Sequence, residues 1–545
     1  MQGVADVVST LDQLVSEFMA REFAMSPTLA TAVGADGYDA LLPDLSESAI
    51  RANELADDQW GSRFAALPDA ELTHDERIDR DLVLSTLRGR AVMRDWAVWR
   101  RNPDTYLNPG LGGVFYLFLH RTRPEAEIAA DAAARLRGVP ALLAAGRENL
   151  SAELASPIFV SRALGQARAG AFYARELVPA EVSDDASRRL LVEAGEVAAA
   201  AYQEFASWLE AFALQAGGSY AIGEERYSAL LMEKEGLSYG ARALRDRGQA
   251  AYDELAADMS RRTQEIAGHD DWHALLGELN ANHPATPEEM RTGYADWTKK
   301  ARDFCIARSL VTLPPGEECR VVPSPAFQRP ILAVASYNSP PAFKPSMTGH
   351  FFVPYPPEGV SAQEAQQRLA TNGYHAMPTI SVHEAYPGHH WHLTHLQAGT
   401  RVIRKILGTS YFAEGWGLYS EEMMRQEGFF TDPRDELCQV DARLFRAARM
   451  VVDTSLHLGE MSFEEAVTFM STKASLSEPT ARAEVGRYCT WPTQASSYLT
   501  GSLEIERIRE RWFAESRGSL REFHDAIAGS GVLPIALAER AIFPA

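Results

Sequence analysis

The stretch SVHEAYPGHHWH, Ser381–His392, holds four histidines, one glutamate and a Pro-Gly pair in twelve residues. It nearly spells His-Glu-x-x-His, in which two histidines one helical turn apart hold a zinc ion and the glutamate acts as general base. The fifth position, however, is Pro387, and the next histidines are His389 and His390. On a regular helix six residues turn through about 600°, which points His389 away from His383. Seven residues restore the face but separate the side chains by about 10 Å along the axis. Neither spacing lets two imidazoles reach one metal with bonds of about 2.1 Å. Pro387 has no N–H to give the carbonyl of His383, and its ring clashes with that carbonyl. Gly388 can take backbone conformations closed to other residues. The pair is therefore expected to interrupt the helix between Tyr386 and Gly388 and bring a later histidine back to the metal. His389 is the preferred second ligand and His390 the alternative. If His389 coordinates, His390 should face a carboxylate or carbonyl behind the site.

Seven of the fourteen histidines lie between His350 and His395, which marks this region as chemically specialised. A catalytic zinc site takes three protein ligands and leaves a position for water. The segment YFAEGWGLYSEEMM offers Glu414 as the third ligand. Its neighbours Phe412, Gly415, Trp416 and Gly417 argue against a solvated surface. Glu421 lies two turns further along the same face and suits a partner for a ligating histidine. Within VGRYCTWPTQASSYLTGSLEIERIR, a phenol could stabilise the oxyanion of amide hydrolysis. Tyr498 is the preferred donor, with Gln494 one turn earlier on the same helix face and Tyr488 as competitor. Arg487 and Arg482 could pair with a substrate carboxylate through a bidentate guanidinium.

Outside these blocks the chain reads as mostly helical. The N-terminal segment places Leu11, Leu14, Val15 and Phe18 on one side. In the segment from Ser183, that serine can N-cap, and Leu190, Ala194, Val197, Ala201, Phe205, Trp208 and Phe212 recur every three or four residues. Leu244, Tyr252, Leu255, Met259 and Ile266 repeat the design, and Ser462 with Glu465 forms a capping-box pattern for a late helix. Between residues 310 and 360, CRVVPSP, ILAVASYN and GHFFVPYP are short, β-branched or aromatic, and broken by Pro and Gly. The expected fold is mainly α, with a small antiparallel sheet beside a metal-site cleft. A helical N-terminal half, 1–305, is expected to precede a catalytic half, 306–545, within one continuous fold. ILAVASYN or GHFFVPYP could offer an edge strand to an extended substrate, with Tyr337, Asn338 and His350 lining the cleft.

A net charge of −21 on 545 residues argues against nucleic acid or anionic membrane as a main partner. Cys305, Cys319, Cys438 and Cys489 have no C-x-x-C spacing, so neither a disulfide framework nor a thiolate zinc site is expected. The opening residues lack a basic stretch followed by an unbroken apolar run, and a cytoplasmic location is expected.

HEAYPGHH, AEGWGLYSEE and the block around Tyr498 closely resemble the signature blocks of the bacterial domain-of-unknown-function 885 family. LRGVPALLAAGRENL, GEERYSALL and FHDAIAGSGVLPIALAERAI resemble it more weakly, so the resemblance spans nearly the whole chain. It implies a zinc-metallopeptidase-like protein of the His-His-Glu class. The implied fold is similar to angiotensin-converting enzyme and bacterial carboxypeptidases. Carried over, it implies His383, His389 and Glu414 as zinc ligands and Glu384 as general base. His392 departs from the family, which often has glutamine there. The expected activity is zinc-dependent hydrolysis of amide bonds in short peptides or peptide-like molecules. Two alternatives stand: a metal-dependent tailoring enzyme on an amino-acid-derived intermediate, and a catalytically inactive, peptidase-like binding protein.

Overall fold

A computed structural model describes residues 10–325, 329, 334–357 and 359–544. Helix α1 (Thr10–Met25) buries Leu11, Leu14 and Phe18 as the spacing predicts. Helix α2 (His74–Arg94) opens on a reciprocal capping box between Thr73 and Glu76. Helices α3 (Asp104–His120), α4 (Glu125–Asn149), α5 (Pro157–Phe172) and α6 (Asp185–Ala213) then form a bundle around a core of their own, centred on Tyr106, Leu136, Ala163 and Tyr202.

Two details of α6 differ from the sequence reading. Its N-cap is Asp184, which accepts from the Ser187 N–H, while the Ser183 N–H and hydroxyl donate to Glu125. The buried stripe runs through Leu191, Ala194, Ala198, Tyr202, Phe205, Leu209 and Phe212, and Val197 is 43% exposed. Small residues decide the orientation. A methyl group at Gly195 would lie 2.3 Å from the Ala174 carbonyl oxygen, so this face is the one that can approach its neighbour.

The second core crosses the expected boundary at residue 305. Side chains of α1, α2, α7 (Ala241–Ala267) and α8 (Pro287–Ala307) share it with residues as late as Phe543. Three strands follow α8: β1 (Glu318–Pro323), β2 (Ser336–Asn338) and β3 (Thr348–Val353). Their order is β1-β3-β2, with β1 parallel and β2 antiparallel to β3. The sheet is thus mixed rather than antiparallel. Central β3 pairs on both sides, so GHFFVPYP offers no free edge. Residues Ile331–Ala333 of ILAVASYN lie outside the described residues, and β2 begins after them.

The site elements follow: α9 (Met377–Glu384), α10 (His389–Gln397), α11 (Ser410–Gln426), α12 (Pro433–Leu458), α13 (Phe463–Lys473), α14 (Glu478–Thr490), α15 (Ser497–Ala514) and α16 (Leu520–Gly529). The capping box of Ser462 and Glu465 starts α13 as expected. Cys305, Cys438 and Cys489 are buried, Cys319 is half-buried, and all four are free. No described helix is long and apolar enough to cross a membrane.

Helices α11 and α15 touch backbone to backbone. A Cβ on Gly415 would sit 2.5 Å from Gly501 Cα, and one on Gly501 would sit 1.8 Å from the Tyr411 carbonyl oxygen. This contact places Glu414 and Tyr498 on adjoining helices beside it. Since main-chain atoms cannot swing aside, Gly501→Ala should destabilise the fold by about 3 kcal/mol or more, read as a lowered denaturant midpoint. A midpoint unchanged from wild type would show that the helices do not touch there.

Buried His524 gives a pH signature. Its Nδ1–H donates to the Leu310 carbonyl at 2.8 Å and its Nε2 accepts from the Tyr419 hydroxyl at 2.8 Å, which fixes the neutral tautomer. Burial pushes its pKa down to about 4 from 6.5. The unfolded chain therefore binds this proton first, so the contribution to stability is complete above pH 6.5 and is lost as pH falls toward 4. His524→Gln should flatten the pH dependence of the denaturant midpoint across that window. An equally steep dependence in the variant would remove His524 as its source.

Candidate metal centre

Helix α9 ends at Glu384, and the backbone is non-helical from Ala385 to Gly388, where α10 begins at His389. The chain folds back on the last turn of α9. The Gly388 N–H donates to the Val382 carbonyl at 3.0 Å, and a Cβ at Gly388 would lie 1.9 Å from the His383 carbonyl oxygen. Glycine is the residue that fits. The Trp416 indole N–H, from α11, donates to the Pro387 carbonyl at 2.8 Å and holds the loop from outside.

This reversal brings the His389 ring to the His383 ring, with centroids 4.7 Å apart and planes at 87°. Glu414, on α11, completes the group: its Oε2 lies 3.6 Å from His383 Nε2 and 3.5 Å from His389 Nε2. One donor atom from each of the three lies within 4.8 Å of the others. The side chains of His389 and Glu414 remain 14% and 23% exposed, so the cluster opens to solvent on that side.

His383 is held from behind. Its Nδ1 meets Glu421 Oε1 at 2.7 Å, which leaves Nε2 facing Glu414. A Cβ on Gly417 would lie 2.6 Å from His383 Cε1, so the ring rests flush on the α11 backbone. Burial opposes a charge on His383, but Glu414 and Glu421 outweigh it and hold the imidazole pKa up at about 10. Burial likewise opposes ionisation of Glu414, and the two imidazoles overcome it, holding that carboxyl well below its usual range. A metal binding His383 must displace the proton that these carboxylates hold on its ring.

His390 points the other way. Fully buried, it meets Glu317 Oε2 through Nε2 at 2.7 Å and the Tyr337 hydroxyl through Nδ1 at 3.0 Å. Glu317 also accepts from the Tyr386 hydroxyl and from Arg302 at 2.9 Å, so one carboxylate ties down both sides of the Pro-Gly loop. Sequence reasoning missed Glu317, which precedes β1 and belongs to no motif. Tyr337 is taken up by His390 rather than lining a cleft, and His350 stacks on Phe352 with Asn338 paired opposite it. His392 lies between Phe412 and Trp416 with neither ring nitrogen bonded, and burial pushes its pKa down to about 3.

Glu384 follows His383. Burial raises its pKa, and the attraction of His383 and His389 does not cancel that rise. The Tyr498 ring stacks near His383, with centroids 6.5 Å apart. Burial and then Glu414 push its phenol up, while Arg449 lies 4.7 Å from its ring. Gln494 lies in the turn before α15 rather than on its face, yet its amide N–H reaches the Tyr498 hydroxyl at 3.5 Å. Arg487 donates to Gln494 and pairs with Glu484 at 2.9 Å, so its role here is to brace that chain. Tyr488 is fully buried, donating to Glu484 at 2.7 Å and accepting from Arg449 at 3.1 Å. Arg482 is not brought to the group. Five residues before Arg487, it turns about 140° away around α14 and pairs with Glu464 of α13 at 2.8 Å.

A second set of donors, His375, Asp432 and Asp435, also lies within 4.8 Å. There Asp432 caps α12 and pairs with Arg434, and His375 bonds Asp435 at 2.6 Å, so the set is satisfied internally.

The described fold is similar to that of a candidate lipoprotein of unknown function from Shewanella oneidensis, with a TM-score of 0.80 and 22% identity over 98% of this chain and 100% of that one. It is also similar to a candidate lipoprotein from Colwellia psychrerythraea, with a TM-score of 0.83 and 19% identity over 98% and 99% of the two chains. At these identities the likeness speaks to fold alone. No curated protein matches the chain significantly. Residues 27–542 match the family described as bacterial protein of unknown function, DUF885. The chain therefore belongs to the DUF885 family.

Proposed function

We propose that the protein is a zinc-dependent hydrolase of amide bonds, acting on short peptides or peptide-like small molecules. The observation that carries this reading is the convergence of His383, His389 and Glu414 beside Glu384. Two imidazoles and one carboxylate, open on one side, form a donor set suited to catalytic zinc. Zinc held by these residues would supply Lewis acidity, polarising a carbonyl and acidifying water. Glu384 accepts the proton from the attacking water at its carboxylate and returns it to the leaving amine. Its raised pKa favours holding that proton between the two transfers. Tyr498 donates its hydroxyl to the developing oxyanion, with Gln494 and Arg487 fixing its position. Glu421 keeps the His383 ring oriented, and Glu317 does the same for the loop before His389.

Elemental analysis of the purified protein should find about one zinc per chain. His383→Ala and Glu414→Ala should each strip most of it, and full occupancy in both variants would eliminate the proposed ligand set. Gly388→Ala should also lower occupancy, since the loop cannot close with a Cβ there.

Glu384→Gln should retain the metal and lose about 10²–10⁴ in turnover of a short-peptide pool. Turnover at the wild-type rate would show that another group moves the proton.

A further inference from the structure

Arg446, Arg449 and Arg487 gather around Tyr498, with Arg443 further along against Ser502 of α15, and three of these four are ion-paired. Arg443 pairs with Glu506 at 2.7 Å, and Arg449 and Arg487 share Glu484 at 2.8 and 2.9 Å. Arg446 is the exception. Among the described residues it forms no ion pair, its one hydrogen bond is from Nη1 to the Ala442 carbonyl at 3.1 Å, and its Nε is buried without a partner. Its guanidinium lies 5.8 Å from the centre of the Tyr498 ring, and its charge reaches Glu384. The acidic group nearest along its own helix, Asp441, is not within ion-pair distance. Burial holds that carboxyl up at about 7 against the pull of Arg446 itself. A half-buried guanidinium with unused donors beside the groups that move protons is suited to an incoming anion.

We infer that Arg446 binds the free α-carboxylate of the substrate, so that the leaving amine is a C-terminal amino acid. This rests on the hydrolase reading for the placement of the scissile bond and narrows it to removal of C-terminal residues. The geometry supports a short reach. Arg446 lies 5.8 Å from the centre of the Tyr498 ring and acts on Glu384, the two groups that the hydrolase reading sets at the scissile bond. Arg487, the candidate from the sequence, already has Glu484 and Gln494 as partners.

The test uses a pool of tripeptides with free C-termini and the same pool as C-terminal carboxamides. Each is incubated with full-length, zinc-supplied Glu384→Gln protein, which should not turn the peptides over, and retained peptides are quantified by ultrafiltration and mass spectrometry; the Arg446 variants are made in the same background. Peptides with free carboxylates should be retained roughly tenfold or more over the amides, the range of a hydrogen bond to a charged group. Arg446→Gln should erase that preference, and Arg446→Lys should restore part of it by keeping the charge, which a purely structural role would not do. Equal retention of the two pools, retention of neither, or an undiminished preference in Arg446→Gln overturns the assignment. Cleavage is scored separately, with the same pools and protein that keeps Glu384. A carboxylate preference in binding without cleavage would sink the hydrolase reading while leaving the anchor in place. Cleavage without the preference would do the reverse.

Discussion

The site depends on a place where the chain has no room for a side chain. At Gly388 the backbone passes so close to the carbonyls of Val382 and His383 that a methyl group would overlap both. Because the position is glycine, the chain can reverse inside the spacing between two histidines and deliver His389 to the side where Nε2 of His383 already points. A helix continued through this segment would carry the two imidazoles apart. The reversal also decides the fate of His390, which is turned into the protein and held by Glu317. One local exclusion thus assigns adjacent histidines to opposite environments.

That exclusion was legible because Pro387 and Gly388 are chemically distinctive and lie between the residues they affect. Glu414 and Glu421 were legible for a similar reason: both follow from helical spacing once α11 is recognised. What stayed hidden was long-range. Glu317 is an ordinary glutamate before a strand, and only tertiary structure puts it against Tyr386 and His390. Arg446 is one arginine in the arginine-rich helix α12, and its distinction lies in what fails to pair with it. Arg482 and Arg487 looked equivalent in sequence, but their different angles around α14 send one to Glu464 and the other to Gln494. The stripe on α6 was misread by one position for a related reason. Periodicity admits Leu190 or Leu191, and the close approach at Gly195 selects the second. The sheet was recognised as short strands, whereas its mixed polarity is set by long-range pairing, with β1 parallel and β2 antiparallel to β3.

The electrostatics reward a local view over a global one. The chain carries a net charge of −21, yet the surroundings of Tyr498 are crowded with guanidinium groups. Glu484 pairs with two of them at once and is held below the usual carboxylate range by Arg449 and Arg487 against the effect of burial. Metal donors, by contrast, gather where carboxylates dominate, with Glu414 and Glu421 raising the proton affinity of His383. Carboxylates and guanidinium groups thus meet around the Tyr498 ring.

The two hydrophobic cores give the chain an order of assembly. Residues 106–212 close a core from neighbours in sequence, so that bundle can consolidate while later residues are still emerging from a ribosome. The other core cannot. Leu11 and Phe18 share it with Ile542 and Phe543, which leaves the earliest helix waiting for the last one. The histidines and Glu414 belong to that late-closing part. During synthesis α1 can cover Phe18 with Trp60 and Phe64, but the rest of its apolar face and that of α2 waits for the C-terminal residues. The long interval between the first helix and the last is therefore the stretch in which apolar surface stays open.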